Sequence, residues 1–215
     1  MRQASLEALS LSSRKSGENL IVVDSGANHA DPTIATRAAE VMGARDLVVL
    51  QGELSELCTQ SVIESTKTLG ARVLLNLAPV QSVAAASLGA VDPLVVNEGE
   101  ARGLATKFGC ANSDSIEVVL QYLLGFCPAV VITRGGDGVI VGDSSGIVQI
   151  AAEQVSVADT TGAGDAFVGG LAVALLEGVL LRHAARFANH VAAHAVSHVG
   201  AMDAYPMRRD LTISS

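Results

Sequence analysis

The chain has 215 residues, enough to bury one sizeable hydrophobic core, and aliphatic residues dominate it while aromatic residues make up only 3%. This composition, which includes no tryptophan, is typical of an α/β domain. The formal net charge is −8 and the sequence contains no cluster of Lys and Arg, which argues against nucleic acid as a partner.

The sequence also argues against a membrane or secreted protein. Residues 1–16 contain no apolar segment of the kind that a secretory signal requires. The most apolar run, 166–181, is interrupted by Glu177 and is too short to span a bilayer. The three cysteines lie far apart without the spacing of metal ligands, so we expect reduced thiols in a cytoplasmic protein.

In chain order, residues 1–18 are polar and Ser-rich without a hydrophobic period, so we predict an irregular segment before an α/β domain over residues 19–215. Residues 19–23 are apolar enough for a strand, and Pro32 suits the first turn of a helix over 32–42. The apolar run 46–51 is typical of a parallel strand buried on both faces. The further predicted strands are 72–76, 94–97 and 129–133.

Helices alternate with these strands, which predicts βαβ units on a mostly parallel sheet with helices on both faces, a Rossmann-type three-layer α/β fold. A turn over 135–138 and an antiparallel pair, 139–141 with 147–150, are expected after the last parallel strand. The predicted helices after the first are 56–69, a short helix after Pro79, 98–107, 115–125, 162–177 and 181–197.

Polar residues follow several of the predicted strands at the point where each strand ends. They are Glu53, Asn76, Asn97 and Thr133, and the loop 159–165 joins them. In open α/β sheets ligands bind beyond the carboxyl ends of the strands. The sequence therefore predicts a binding site at this edge of the sheet.

The loop 159–165 is rich in small residues and leads into an apolar helical run, so its glycines fall at a helix N-terminus. The first N–H groups of a helix lack intrahelical partners and carry partial positive charge, which favours an anion such as phosphate. Asp165 is then placed to accept a proton from a hydroxyl that attacks the phosphate. The alternative is that the glycines form only a tight turn and that the helix dipole favours Asp165.

The string from Asp159 to Gly170, Asp-Thr-Thr-Gly-Ala-Gly-Asp-Ala-Phe-Val-Gly-Gly, resembles the C-terminal signature of the ribokinase-like (PfkB) carbohydrate kinases almost without interruption. The resemblance implies an enzyme that transfers the γ-phosphoryl group of ATP to the primary hydroxyl of a sugar. By this resemblance Asp165 would be the catalytic base. The transferring group would be held by the amides of Gly162, Ala163 and Gly164.

Two further strings carry the nucleotide and Mg²⁺ sites that the resemblance implies. In Asn97-Glu98-Gly99-Glu100, Glu100 would hold Mg²⁺ through water and Asn97 would lie near the phosphates. On its own this string is typical of a helix N-cap with acidic residues in the first turn. Asn189 would lie against the adenine. The loop that would cradle ATP, which by composition alone is a hairpin-type turn, consists of Thr133, Arg134, Gly135, Gly136, Asp137 and Gly138.

The resemblance also implies sites for the sugar and for a monovalent cation, K⁺. Glu53 matches a carboxylate that helps to hold the sugar, and a solvated loop acid is an equal alternative. Three histidines, His190, His194 and His198, share one helix face, but ordinary surface histidines are favoured over a metal site there. The K⁺ site would be formed by Asp159, Thr161, Ala195, His198, Gly200 and Ala204, although His198 and Ala204 depart from the common pattern.

Within the family the order of the motifs is most similar to that of the ribokinases, so D-ribose is the implied sugar. Family members begin with a further segment that carries a sugar-binding aspartate and the strands of a lid, and we find no counterpart of these here. We therefore expect an exposed sheet edge and few contacts to the sugar. A family-type homodimer would lack its usual lid contacts.

Other functions stay open on the sequence. The chain fits a catalytically impaired remnant that binds nucleotide, and it also fits another sugar or nucleoside kinase of the PfkB family. A dinucleotide-binding oxidoreductase is disfavoured, because no Gly-x-Gly-x-x-Gly follows the first strand and the glycine loop lies near the C-terminus.

Overall fold

A computed structural model describes residues 7–12, 19–24, 33–80 and 83–211. Two N-terminal strands, β1 (Glu7–Ser12) and β2 (Asn19–Asp24), pair antiparallel and form a sheet of their own. The strand predicted over 19–23 is thus confirmed, but it does not open the parallel sheet. The irregular structure predicted for residues 1–18 is wrong over β1, where Leu9-Ser10-Leu11-Ser12 alternates apolar and polar residues with the period of a strand.

The main sheet confirms the predicted fold class. Its six strands run in the order β3-β4-β5-β6-β7-β8. The first four are parallel to one another, β7 pairs antiparallel with β6, and β8 pairs antiparallel with β7. The strands are β3 (Leu47–Gln51), β4 (Arg72–Asn76), β5 (Leu94–Asn97), β6 (Val130–Thr133), β7 (Val139–Asp143) and β8 (Gly146–Ile150).

Helices cover both faces of this sheet, as predicted. Successive strand residues point to opposite faces, so Leu75 and Val96 pack in one core with α2, α4 and α5, while Leu74 and Val95 pack in another with α6 and α7. The helices are α1 (Ile34–Ala39), α2 (Glu56–Leu69), α3 (Ala85–Leu88), α4 (Glu98–Lys107), α5 (Ile116–Leu123), α6 (Ala163–Leu176) and α7 (Leu181–Val196). The first predicted helix spans 32–42, and its residue 32 lies outside the described part of the chain.

Local sequence sets the bounds of these helices, and α2 shows how. The hydroxyl of Ser55 accepts a hydrogen bond from the Cys58 N–H, which satisfies one of the unpaired donors of the first turn. Gly70 ends the helix in the left-handed conformation, with φ +76°, which glycine adopts without steric cost. Among the described helices, none has the length and apolar character needed to cross a bilayer.

The prediction that β3 is buried on both faces is wrong. In the described part of the chain β3 is the edge strand of the sheet, and its central residue Val49 is 42% exposed. The apolar run has the composition of a central strand, but among the described strands none pairs with its outer edge, and four of its five residues are not fully buried. This is the exposed sheet edge that the sequence predicts.

Candidate active site

The carboxyl ends of the parallel strands meet the N-terminus of α6 around one cavity of about 280 Å³. The strand register brings the polar residues together, because Asn97 of β5 pairs with Thr133 of β6. Asn76 of β4 lies on the other side of β5. The loop residues that line this cavity are Thr160, Thr161, Gly162, Ala163, Gly164 and Asp165. A cavity therefore lies at the edge of the sheet where the binding site is predicted.

Gly162 shapes the turn that begins α6. It is the N-cap residue with φ +75°, and a Cβ atom there would lie only 2.6 Å from the Tyr205 hydroxyl oxygen, so both backbone and packing require glycine. The Ala166 N–H donates to the Gly162 carbonyl at 2.9 Å and closes the first helical turn. Of the predicted anion-binding amides, the Ala163 N–H donates to the Thr160 carbonyl at 3.3 Å and is not free. Within the described residues, the N–H groups of Gly162, Gly164 and Asp165 donate to no other group.

These free donors make the start of α6 suitable for an anion. The helix dipole adds partial positive charge at the same point. No side chain stands in front of Gly164, since a Cβ atom built there would meet nothing within 4 Å. Asp165 lies in this first turn as an exposed carboxylate that lines the same cavity. A hydroxyl group that enters the cavity thus meets a proton acceptor beside hydrogen-bond donors for a phosphate.

Asp159 fixes the loop that precedes α6. One carboxylate oxygen accepts from the Thr161 N–H at 2.9 Å, and the other accepts from the Gly200 N–H at 3.1 Å. Hydrogen bonds from the Thr161 side chain and backbone, and from Gly200, hold the pKa of this carboxyl below its usual value. The Ala158 and Asp159 N–H groups both donate to the Val196 carbonyl, so the loop is tied to the end of α7.

The Asn97–Glu100 string forms a helix cap and lines the cavity at once. Asn97 caps α4 by accepting from the Glu100 N–H at 2.8 Å, and the Glu100 carboxylate accepts from the Asn97 N–H at 2.7 Å. Burial raises the pKa of Glu100, against the lowering effect of the bond from Asn97. Only the Oε2 atom of Glu100 is used in the cap, so Oε1 remains for a ligand in the cavity.

An ion-pair chain that the sequence analysis missed links this helix to the predicted ATP loop. The Glu98 carboxylate accepts from the Arg102 guanidinium at 2.7 Å and from the Arg134 Nε at 3.2 Å. Arg102 and then Arg134 hold the pKa of Glu98 below its usual value. The spacing of Glu98 and Arg102 is a readable helix pair. The contact with Arg134 follows only from the pairing of β5 with β6.

A second cavity of about 370 Å³ adjoins the first and lies where the nucleotide site is predicted. Thr133, Ala163 and Gly164 line both cavities. Of the predicted loop, Gly135, Gly136 and Gly138 line the second cavity, while the Arg134 side chain turns to Glu98 and lies 3.8 Å from Asp137.

Helix α7 closes the other side of this second cavity. Asn189 lines it as predicted, but its side-chain amide donates to the Ala151 carbonyl at 2.8 Å. The neighbouring His190 Nδ1 lies 2.8 Å from the Glu153 carboxylate. These two contacts hold residues 151–153 against α7, and the segment after them forms a wall of the cavity.

The structure does not bring every predicted residue to the site. Glu53 is half-buried in the loop after β3 and does not line the cavity beside Asp165. The His198 ring stacks on His194 at 4.5 Å. Within the predicted K⁺ set, Asp159 accepts hydrogen bonds from Thr161 and Gly200, and the His198 N–H donates to the Ala195 carbonyl at 3.1 Å. Ala195 and Ala204 are buried. The described residues contain no cluster of three His, Cys, Asp or Glu suited to a metal ion.

Comparison with known proteins agrees with this geometry. The sequence model of the pfkB family carbohydrate kinases matches residues 5–208. The ribokinase of Bacillus subtilis is 34% identical over 197 residues, which are 91% of this chain and 64% of that protein. This chain therefore spans less than two thirds of that relative's length.

Two solved structures have the same fold. The ribokinase of Thermotoga maritima superposes with a TM-score of 0.80 and 27% identity, over 96% of this chain and 68% of that one. The ribokinase of Arabidopsis thaliana, solved in complex with ribose and ATP, gives a TM-score of 0.80 and 25% identity, over 94% of this chain and 66% of that one.

Proposed function

Because the chain belongs to the pfkB family of carbohydrate kinases, we propose that it transfers the γ-phosphoryl group of ATP to the primary hydroxyl of a sugar, and that the sugar is D-ribose. One observation carries this proposal. The exposed Asp165 carboxylate and the unpaired N–H groups at the start of α6 line one cavity, which adjoins the cavity of the glycine loop.

Each group has a role in this reaction. ATP would lie along the second cavity, between the glycines of the 135–138 loop and the wall that Asn189 supports. Asp165 accepts the proton of the attacking hydroxyl, and the N–H groups of Gly164 and Asp165 stabilise the negative charge of the transferring group. These donors are fixed before the reaction by the turn at Gly162, so little reorganisation is needed.

The residues present fit the two cations that the family implies. Glu100 lines the cavity and uses only its Oε2 atom in the helix cap, and a hard oxygen donor suits Mg²⁺ held through water. Mg²⁺ would neutralise charge on the phosphates. Asp159, whose lowered pKa keeps it ionised, would hold K⁺ together with backbone carbonyls of the 195–204 segment.

The test is ATP-dependent phosphorylation of D-ribose by the purified protein with Mg²⁺ and K⁺, together with a nucleotide-binding titration. Asp165→Asn should lower kcat by at least about 10²-fold and leave nucleotide affinity nearly unchanged, since it removes only the proton acceptor. Asp114→Asn is the matched control, because Asp114 is exposed and lines neither cavity. Equal turnover in both variants would exclude Asp165 as the base.

A second candidate is a protein that binds nucleotide without turnover. One observation favours it: Glu53, the predicted sugar ligand, does not line the cavity beside Asp165. The same experiment separates the two functions. Nucleotide binding with no phosphorylation of any sugar tested would support the second candidate, and turnover that Asp165→Asn abolishes would support the first.

A further inference from the structure

The segment that follows α7 returns to the start of α6 and places Tyr205 behind the anion-binding turn. The Tyr205 ring packs against a small apolar cluster that includes Ala166, Val191 and Ala195. Its outer end touches the turn itself: a Cβ atom at Gly162 would lie 2.6 Å from the hydroxyl oxygen and 3.1 Å from Cε1. The ring thus fills the space directly under the Gly162 Cα atom.

Tyr205 is also close to the proposed catalytic base. Asp165 and Tyr205 line one cavity of about 320 Å³ on the side of α6 that faces the C-terminal segment. Burial and then the negative charge of Asp165 raise the pKa of the phenol. The phenol therefore lies between the turn at Gly162 and the cavity that it shares with the proposed base.

An ion pair anchors the segment that carries this ring. The Arg208 guanidinium makes two hydrogen bonds to the Glu177 carboxylate, one of them 3.1 Å long. Glu177 is the C-cap residue of α6, and Gly162 is its N-cap. The C-terminal segment is thus attached at one end of α6 and supports the other end through Tyr205.

We propose that Tyr205 is a positioning residue, whose ring holds the left-handed turn at Gly162 so that the Gly164 and Asp165 N–H groups point into the cavity. This inference rests on the proposed function and extends it to the C-terminal segment. The Asp159 carboxylate and the Ala166 N–H also hold the turn, but the three atoms nearest to the position of a Gly162 Cβ atom all belong to Tyr205. Loss of the ring leaves the Gly162 backbone unsupported on the side opposite the cavity, and donors that are not fixed stabilise charge poorly.

The test uses Tyr205→Leu, which fills much of the apolar space but is too short to reach Gly162, and Tyr205→Phe, which keeps the ring. Tyr122→Phe is the control, because Tyr122 is the only other tyrosine of the chain and lies on the other face of the sheet. This variant loses the hydrogen bond that the Tyr122 hydroxyl donates to the Phe108 carbonyl. The readout is a titration with inorganic phosphate, followed by the amide NMR signals of Gly164 and Asp165, which needs no turnover.

Phosphate should shift the Gly164 and Asp165 signals of the wild type. Tyr205→Leu should weaken this binding at least about tenfold, the scale of one lost hydrogen bond to a charged group. Tyr205→Phe and Tyr122→Phe should retain it. In the kinase assay Tyr205→Leu should lower kcat with little change in nucleotide affinity. Full phosphate affinity in Tyr205→Leu would overturn the inference, and so would a wild type whose Gly164 signal does not respond. Phosphate binding without turnover would contradict the proposed function only.

Discussion

Replacement of Gly162 by alanine tests the geometry of the anion-binding turn. Gly162 has φ +75°, and a residue with a Cβ atom costs about 1–2 kcal/mol in that region. The new Cβ atom would also lie 2.6 Å from the Tyr205 hydroxyl oxygen, so the ring has to move. Overpacking of this kind costs about 1–3 kcal/mol. We therefore expect the free energy of unfolding to fall by at least about 2 kcal/mol, the sum of the two lower bounds.

Urea unfolding followed by circular dichroism measures this change, since the chain has no tryptophan for a fluorescence signal. Gly169→Ala is the matched control in the same helix. A Cβ atom at Gly169 would meet nothing within 4 Å. Alanine there should raise the stability by about 0.5–1 kcal/mol, because glycine is unfavourable inside a helix. If Gly162→Ala were as stable as Gly169→Ala, the argument from the left-handed turn and the Tyr205 contact would be refuted.

A third glycine separates stability from activity. Gly164 has an ordinary helical conformation and open space where its Cβ atom would be, so Gly164→Ala should unfold no earlier than the wild type. The same methyl group projects into the cavity and blocks the approach of a phosphate to the helix N-terminus. Gly164→Ala should therefore lose phosphate binding while its stability stays that of the wild type. If the variant kept both its stability and its phosphate affinity, the anion would have to bind elsewhere.

Three further predictions follow from the charges and thiols. The pKa of Asp159 in the folded protein lies below its unfolded value of about 3.9, so the ionised carboxylate stabilises the fold above about pH 3.9, and this contribution is lost as the pH falls through the folded pKa. Asp159→Asn should therefore be less stable than the wild type at pH 7. In urea unfolding, the difference in stability between the two should shrink below about pH 4. Glu98→Gln removes the charge that ties the predicted ATP loop to α4, and a partly exposed pair worth up to about 1 kcal/mol predicts a loss of up to about fivefold in nucleotide affinity. Glu56→Gln is the control, because Glu56 is an exposed acidic residue in the first turn of α2 and lines neither cavity, and an equal effect there would contradict the argument. Burial raises the pKa of Cys127 to about 12, so at pH 8 a thiol reagent should label the half-buried Cys110 in the native protein and Cys127 only after unfolding.

The central strands and the helices between them were predictable because their signals are local. The runs that became β4 and β5 are apolar without interruption, since both faces of these strands are buried by helices. The N-cap at Asn97 and the helix end at Gly70 likewise depend on a few adjacent residues. The loop at the start of α6 was predicted in place, because glycines before an apolar helical run leave few other arrangements.

Features that depend on distant contacts were not predictable. The sequence around Val49 has the composition of a central strand, and only the sheet order shows that β3 lies at an edge. Arg134 was predicted as part of the loop that would cradle ATP, but the pairing of β5 with β6 brings its side chain to Glu98. No local pattern relates Tyr205 to Gly162, because Tyr205 lies 43 residues further along the chain and reaches the turn only when the C-terminal segment folds back over α6.

The β3 edge has a consequence for how the protein behaves in solution. In the described part of the chain, one side of this strand offers backbone N–H and C=O groups to no other strand, and the exposed Val49 leaves an apolar side chain beside them. An unprotected edge of this kind is a template on which a strand of another molecule can add, and natural sheets often place a lysine or proline there to prevent it. The five residues of β3 carry no charge. Association of the purified protein should therefore rise with its concentration, and a lysine at position 49 should suppress it without disturbing the site at the far end of the strands.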